Sequence, residues 1–270
     1  MPELPEVESA RAVIERAGLQ RTVVDVDDSD TWECRPHRPG EIRDALVGRH
    51  LTAAHRRGKS MWCEVSGVAA PTLGIHLGMS GRILVSGPGG VAEGGDYQGT
   101  GRRADPSRRR EVWFRFSLVF EDGGMLRLLD PRRLGRVRLD PDVDALGPDA
   151  AEVGREEFRE RVGRGRLPLK ARLLDQTTIA GVGNLLADEV LWQARLDPRR
   201  PAGELTVEEL DGLRRRLRSA VRTAVRQGGV HTLEVVPHRG ADGHCPRCGA
   251  EMRRATVGGR TTWFCPREQV

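Results

Sequence analysis

Between residues 22 and 139 the chain alternates short β-type runs with turns, and past a stretch rich in Asp, Pro and Gly at 141–154 it changes to helical periodicity. That change constrains the fold more than any other feature, because alternating faces and faces that recur every three to four residues are buried by different kinds of layer. The β runs lie at 22–26, 50–54, 61–65, 73–77, 82–85, 112–120 and 125–129. With no helices between them they predict a β-sandwich or barrel-like domain. Ahead of them Val7, Ala10, Val13, Ile14 and Ala17 recur at three and four residues before Gly18, which predicts an amphipathic helix opening near Pro5. Residues 87–110 are rich in Gly and Arg and lack an apolar period, so they predict a mobile loop inserted between strands.

The second half reads as helices. The clearest spans 205–227: Thr206 and Glu209 form a capping box, Leu210, Leu213, Leu217, Ala220, Val221, Ala224 and Val225 make the buried stripe, and Gly228 ends it. Arg214, Arg215, Arg218, Arg222 and Arg226 lie mostly off that stripe and read first as a solvated face. Residues 170–194 read helix, Gly-rich turn, helix, with Gly181-Val182-Gly183-Asn184 at the turn. Bare amides at a helix start, capped by Asn184, suit a phosphate; an ordinary helical hairpin is the competing account. The expected division is therefore a β domain over 1–140, a helical domain over 141–230 and a tail over 231–270.

No apolar run approaches the length of a membrane span, and the first eight residues are acidic where a secretory signal would be basic, so the expected location is the cytoplasm. A net charge of +5 and a pI near 9.3 permit a polyanionic partner. Of the 44 basic residues 42 are arginine, which leaves Lys59 and Lys170 as places where a compact ammonium on a flexible stem is wanted.

Several residues can carry chemistry. Removal of Met1 would leave Pro2 as a secondary amine able to attack an aldehyde-like sugar carbon, with Glu3 and Glu6 beside it to move protons. The structural alternative is that Pro5 opens the helix and the acids complement its dipole. Lys59 stands at a turn before a strand, suited to one phosphate or one carboxylate; its Gly-Lys-Ser context lacks the upstream glycine and following helix of a P-loop. Asp130-Pro131-Arg132-Arg133-Leu134-Gly135 sets arginines beside an apolar residue, as in proteins that fill the gap left by an extruded base. In the tail, Cys245-Pro246-Arg247-Cys248, sixteen residues and then Cys265 have zinc-ribbon spacing, but Glu268 occupies the position of a fourth cysteine. Glu268, His244 or water could complete such a site; a metal-free hairpin packed on Trp263 and Phe264 is the alternative.

Taken in order, the Pro2-Glu3-Leu4-Pro5-Glu6-Val7-Glu8 opening, Lys59, His76-Leu77-Gly78-Met79-Ser80-Gly81, Asp130-Pro131-Arg132-Arg133, Gly181-Val182-Gly183-Asn184 and the finger resemble the formamidopyrimidine-DNA glycosylase and endonuclease VIII family. The resemblance covers almost the whole chain. It implies an α+β protein: an N-terminal β-sandwich with a leading helix, a helix-two-turn-helix domain, a zinc-finger-like hairpin, and DNA bound in the cleft between domains. It implies Pro2 as nucleophile, Glu3 as the acid for sugar-ring opening, Glu6 as a supporting acid, and β- then δ-elimination after the base leaves. Lys59, grouped with these catalytic residues, also matches a phosphate-binding position, as do His76, Asn184 and Arg260. Met79 and Arg132 match residues that fill the vacated space, and Leu134 takes the wedge position. Lys170 joins the expected DNA-binding set, and Cys245, Cys248, Cys265 and Glu268 the expected zinc ligands.

Leu134 stands where oxidised-guanine enzymes of the family carry Phe, and an aliphatic wedge stacks less well. Only fifteen residues separate Gly229 from Cys245, too few for the long loop that caps oxidised guanine. The lesion therefore stays open among oxidised purines, oxidised pyrimidines and bulky adducts. The expected partner is damaged double-stranded DNA, bound by a monomer, and the alternative function is a damage-binding protein without turnover.

Overall fold

The computed structural model describes residues 2–95 and 110–270. It divides into two units, one made of Pro2 with residues 6–143 and the other of residues 3–5 with 144–270.

The first unit carries most of α1 (Leu4–Ala17), then β1 (Val23–Asp27), α2 (Glu41–Leu46), β2 (Leu51–Arg57), β3 (Ser60–Val65), β4 (Leu73–His76), β5 (Arg82–Gly87), β6 (Gly90–Gly95), β7 (Phe114–Phe120), β8 (Met125–Leu129) and β9 (Arg136–Leu139). The strands form two antiparallel sheets, ordered β1-β7-β8-β5-β6 and β2-β3-β4-β9. Val13 and Ile14 of α1 join Met61, Ile75, Phe116 and Leu126 from both sheets in one core. Alternation builds it: Met61, Cys63 and Val65 of β3 face inward while their neighbours are half-buried or exposed. Burial also pushes the Cys34 and Cys63 thiols up to about 12, so both behave as small apolar residues.

The second unit contains α3 (Arg155–Val162), α4 (Leu169–Leu174), α5 (Asn184–Ala194), α6 (Val207–Gln227) and the hairpin of β10 (Arg253–Val257) and β11 (Arg260–Phe264). In α6 the Thr206 hydroxyl accepts from the Glu209 amide while the Glu209 carboxylate accepts from the Thr206 amide. Gly228, at φ +94°, closes the helix. The apolar face of α6 meets Phe158, Leu173, Leu186 and Val190 in a second core, and Trp192, Val235 and Met252 pack beside the tail cysteines in a third.

The structure differs from the sequence reading in short elements. α2 was not expected, since only Ile42 and Leu46 of its six residues are buried. Part of the expected 87–110 loop is strand: β6 pairs residue for residue with β5, whereas 96–109 lie outside the described residues. β9, four residues long, pairs with β4, and 112–113 belong to a 3-10 turn rather than to the strand that follows. Among the described residues no helix is long and apolar enough to cross a membrane.

Candidate active site

The N-terminus of a helix leaves backbone N–H groups without partners inside the helix. At α5 they are taken by a side chain from the far end of the sequence. Glu3 Oε2 accepts from the amides of Gly183 at 2.9 Å and Leu186 at 3.1 Å, and Oε1 accepts from Leu185 at 2.8 Å. The Leu4 amide donates to the Gly181 carbonyl at 3.2 Å, and Leu4 is buried in the second core. Glu3 has no exposed surface, Pro2 before it is buried, and Glu6 is 1% exposed. This corrects the expected cap. Asn184 is the first residue of α5 rather than its cap, and the amides expected to face a phosphate already hold a carboxylate. Asn184 Oδ1 is buried and has no hydrogen-bond partner among the described residues. The two-turn segment before it is shaped by Gln176, which donates to the Val182 carbonyl and accepts from the Gly181 amide, both at 3.0 Å.

In the first unit one buried carboxylate organises a turn. Asp130 accepts from the amides of Arg132, Leu134 and Gly135 and from the Ser80 hydroxyl, at 2.7–3.1 Å. The turn is thereby rigid while Arg132 and Arg133 remain exposed and Leu134 is 43% exposed. Gly78, at φ +59°, lies so close to the Leu134 carbonyl that no side chain fits there, and this brings exposed Met79 beside the turn. The Trp32 indole donates to the Arg133 carbonyl at 3.0 Å. Beneath lies Glu33, fully buried; desolvation, reinforced by the Asp130 charge, raises its carboxyl to about 8.

His76 and Leu134 line the same concavity of about 350 Å³ with Arg136 and Arg138. The Gly78 amide donates to His76 Nδ1 at 3.1 Å, which leaves Nε2–H as the outward donor of a neutral ring. Desolvation, with Lys59, Arg136 and Arg138 nearby, lowers its affinity for a second proton. Lys59 sits with Gly58, at φ +60°, in the turn joining β2 to β3.

Lys170 does not reach a surface. Its ammonium, 0% exposed, lies 2.6 Å from Asp188 Oδ1 and donates to Thr262 Oγ1 at 2.8 Å. Arg239 completes the cluster on Asp188 Oδ2 at 2.7 Å. The expected DNA contact by Lys170 is thus replaced by an internal one, because α4, α5 and β11 close around it. That cluster positions the hairpin, whose Gly258–Gly259 turn leaves Arg260 exposed.

The sulfurs of Cys245, Cys248 and Cys265 lie within 4.8 Å of one another, as the thiolate corners of a tetrahedral zinc site require. The Trp192 indole donates to Cys245 Sγ at 3.3 Å. Glu268, expected as the fourth ligand, stands outside the cluster: its Oε2 is 3.1 Å from Arg247 and 3.4 Å from Arg195, and two guanidinium groups satisfy its charge. His244 is exposed, with Nδ1 at the Asp242 carbonyl. Among the described residues the three cysteines therefore fit three zinc positions, and neither Glu268 nor His244 is grouped with them.

The sequence reading passed over Asp188, Glu33 and Trp32. No local pattern marks the first two; Trp32, a large aromatic in a polar loop, was the one available signal.

Residues 1–137 match the family described as the formamidopyrimidine-DNA glycosylase N-terminal domain, and residues 145–234 match its H2TH domain. The formamidopyrimidine-DNA glycosylase of Chloroflexus aggregans is 33% identical over 292 residues, covering 100% of this chain and 99% of the relative. The Lactococcus lactis formamidopyrimidine-DNA glycosylase, solved non-covalently bound to DNA containing an abasic site, superposes with TM-score 0.81 at 26% identity over 99% of both chains. A MutM structure in complex with DNA containing carbocyclic 8-oxoguanine gives TM-score 0.80 at 27% identity, again over 99% of both chains.

Proposed function

Because the chain belongs to the formamidopyrimidine-DNA glycosylase family, whose members serve base-excision repair of damaged DNA, we propose that it is a bifunctional glycosylase and abasic-site lyase working through Pro2. With Met1 removed, the Pro2 nitrogen attacks C1′ of the damaged nucleotide. The base departs with its bonding electrons and takes up the proton that the Pro2 nitrogen gives up on forming its new bond, and Glu3, entering in its protonated form, gives its proton to the ring oxygen as the sugar opens to an iminium. The iminium acidifies C2′–H; loss of that proton expels the 3′ phosphate, and a second elimination expels the 5′ phosphate. Glu6 assists these proton transfers. Lys59, His76, Asn184 and Arg260 hold backbone phosphates, while Met79, Arg132 and Leu134 fill the duplex where the nucleotide has left.

The observation that carries this reading is the grip on Glu3. An acid that has given up its proton leaves a carboxylate, and here three amides at a helix N-terminus are arranged to hold that anion next to Pro2. Lys170 enters the reading as a scaffold for the hairpin, not as a phosphate contact. Cys245, Cys248 and Cys265 would hold zinc, which when bound cross-links the finger that presents Arg260.

Borohydride trapping tests the proposal on duplexes containing an abasic site, 8-oxoguanine, dihydrouracil or an alkylated formamidopyrimidine. Wild-type protein is expected to trap on the abasic duplex, and Pro2→Gly to lose trapping while remaining folded. The damaged duplexes that also trap name the lesion class. Undiminished trapping by Pro2→Gly overturns the role of Pro2, and tight binding without trapping makes the protein a damage sensor.

A further inference from the structure

The wedge turn carries an aliphatic tip, yet an aromatic side chain is fastened beside it from another loop. Trp32 is 52% exposed, whereas the other four tryptophans are half-buried or buried. An exposed indole is ordinarily mobile, but this one is held at several points. Its Nε1–H donates to the Arg133 carbonyl at 3.0 Å, its own amide donates to Asp30 Oδ1 at 3.1 Å, and its carbonyl accepts from Arg35 at 2.7 Å and Arg136 at 2.8 Å. The Arg35 guanidinium lies 3.7 Å over the ring. Asp30 in turn pairs with Arg133 at 2.7 Å, so the Trp32 loop and the wedge turn are joined by a hydrogen bond and an ion pair. A large apolar ring kept in water at this cost in side-chain entropy has the form of a recognition surface prepared in advance.

We propose that Trp32 is a specificity-determining residue that stacks on a base of the strand opposite the extruded nucleotide, supplying the aromatic surface that Leu134 lacks. Every nucleobase offers a π face, and base stacking on an aromatic side chain is worth about 5- to 150-fold in affinity. Arg35 covers one side of the ring and adds positive charge close to the phosphates of that strand. The division of labour is that Leu134 occupies the gap and Trp32 receives the base.

This inference rests on the DNA reading above but not on its lyase chemistry, so it is tested without turnover. The probe is a duplex with a tetrahydrofuran abasic analogue and 2-aminopurine in the opposite strand beside the gap. Wild-type protein is expected to quench the 2-aminopurine and to prefer this duplex over an undamaged one. Trp32→Leu should lose the quench and bind the abasic duplex about tenfold more weakly, with undamaged-duplex affinity unchanged. Trp32→Phe, which keeps a ring but loses the bond to Arg133, should retain most of both. Equal behaviour of wild type and Trp32→Leu overturns the proposal, as does a loss in Trp32→Phe as deep as in Trp32→Leu, since that would assign Trp32 only the fastening of the turn. Wild-type protein with no preference for the abasic duplex removes the DNA reading itself and this inference with it; failure of borohydride trapping alone removes only the lyase.

Discussion

The Glu3 carboxylate occupies the space that any side chain at residue 183 would need, while accepting the Gly183 amide at 2.9 Å. The backbone at Gly183 is in an extended conformation open to any residue, so the demand for glycine there is steric and not torsional. Gly183→Ala should therefore eject the carboxylate from the start of α5 and leave buried amides unpaired, at a cost of about 1–3 kcal/mol. Thermal denaturation reads the stability change, and borohydride trapping should fall at least tenfold. Unchanged trapping would show that the position of Glu3 does not matter to the chemistry.

Glu33 makes stability depend on pH in a defined direction. Burial beside Asp130 pushes its carboxyl up to about 8 in the folded chain from an ordinary 4.5, so the folded state binds the proton more tightly than the unfolded one. The contribution is fully present below 4.5 and is lost as pH rises through about 8. Between those values wild type should lose up to about 1 kcal/mol per pH unit relative to Glu33→Gln. Denaturant unfolding of both proteins at several pH values measures the difference; parallel profiles would place the proton elsewhere.

Lys170 and Arg260 should separate cleanly by experiment. Lys170→Met leaves the buried Asp188 carboxylate with Arg239 as its remaining cationic partner among the described residues and should cost about 1–3 kcal/mol, without altering the salt dependence of duplex binding in protein that remains folded. Arg260→Ala should leave stability nearly unchanged and reduce the slope of log K against log salt by about 1. A lowered slope in Lys170→Met would mean that the ammonium reaches a phosphate after all.

The finger predicts a weak metal site that one substitution strengthens. Glu268→Cys removes the carboxylate from Arg247 and Arg195 and restores a fourth sulfur donor. Elemental analysis after challenge with a graded chelator should find zinc retained by Glu268→Cys at concentrations that strip the wild type. Equal retention would mean that the wild-type site is already complete.

Long and strongly periodic features were legible in the sequence itself. The stripe and capping box of α6, the apolar repeat of α1 and the hairpin before Cys265 each carry local information sufficient to define themselves. Elements of four to six residues were not. In α2 only two side chains are buried, β6 is half glycine, and β9 alternates arginine with apolar residues over a single four-residue stretch. Such segments become strands or helices because a neighbour offers them a ladder or a core, which no local pattern records.

The candidate site divides along the same line. Sequence alone determined which chemistries the chain can host: a Pro2 that removal of Met1 would turn into an amine beside two acids, arginines next to an apolar tip, three thiols at ribbon spacing. Tertiary structure decided the partners. It turned the amides before Asn184 toward Glu3, gave Glu268 to arginines instead of metal, enclosed Lys170 around Asp188, and fastened Trp32 to Arg133. The physical reason is that a side chain's type and spacing travel with the chain, whereas its desolvation and its hydrogen-bond partners depend on residues brought beside it only when the core closes.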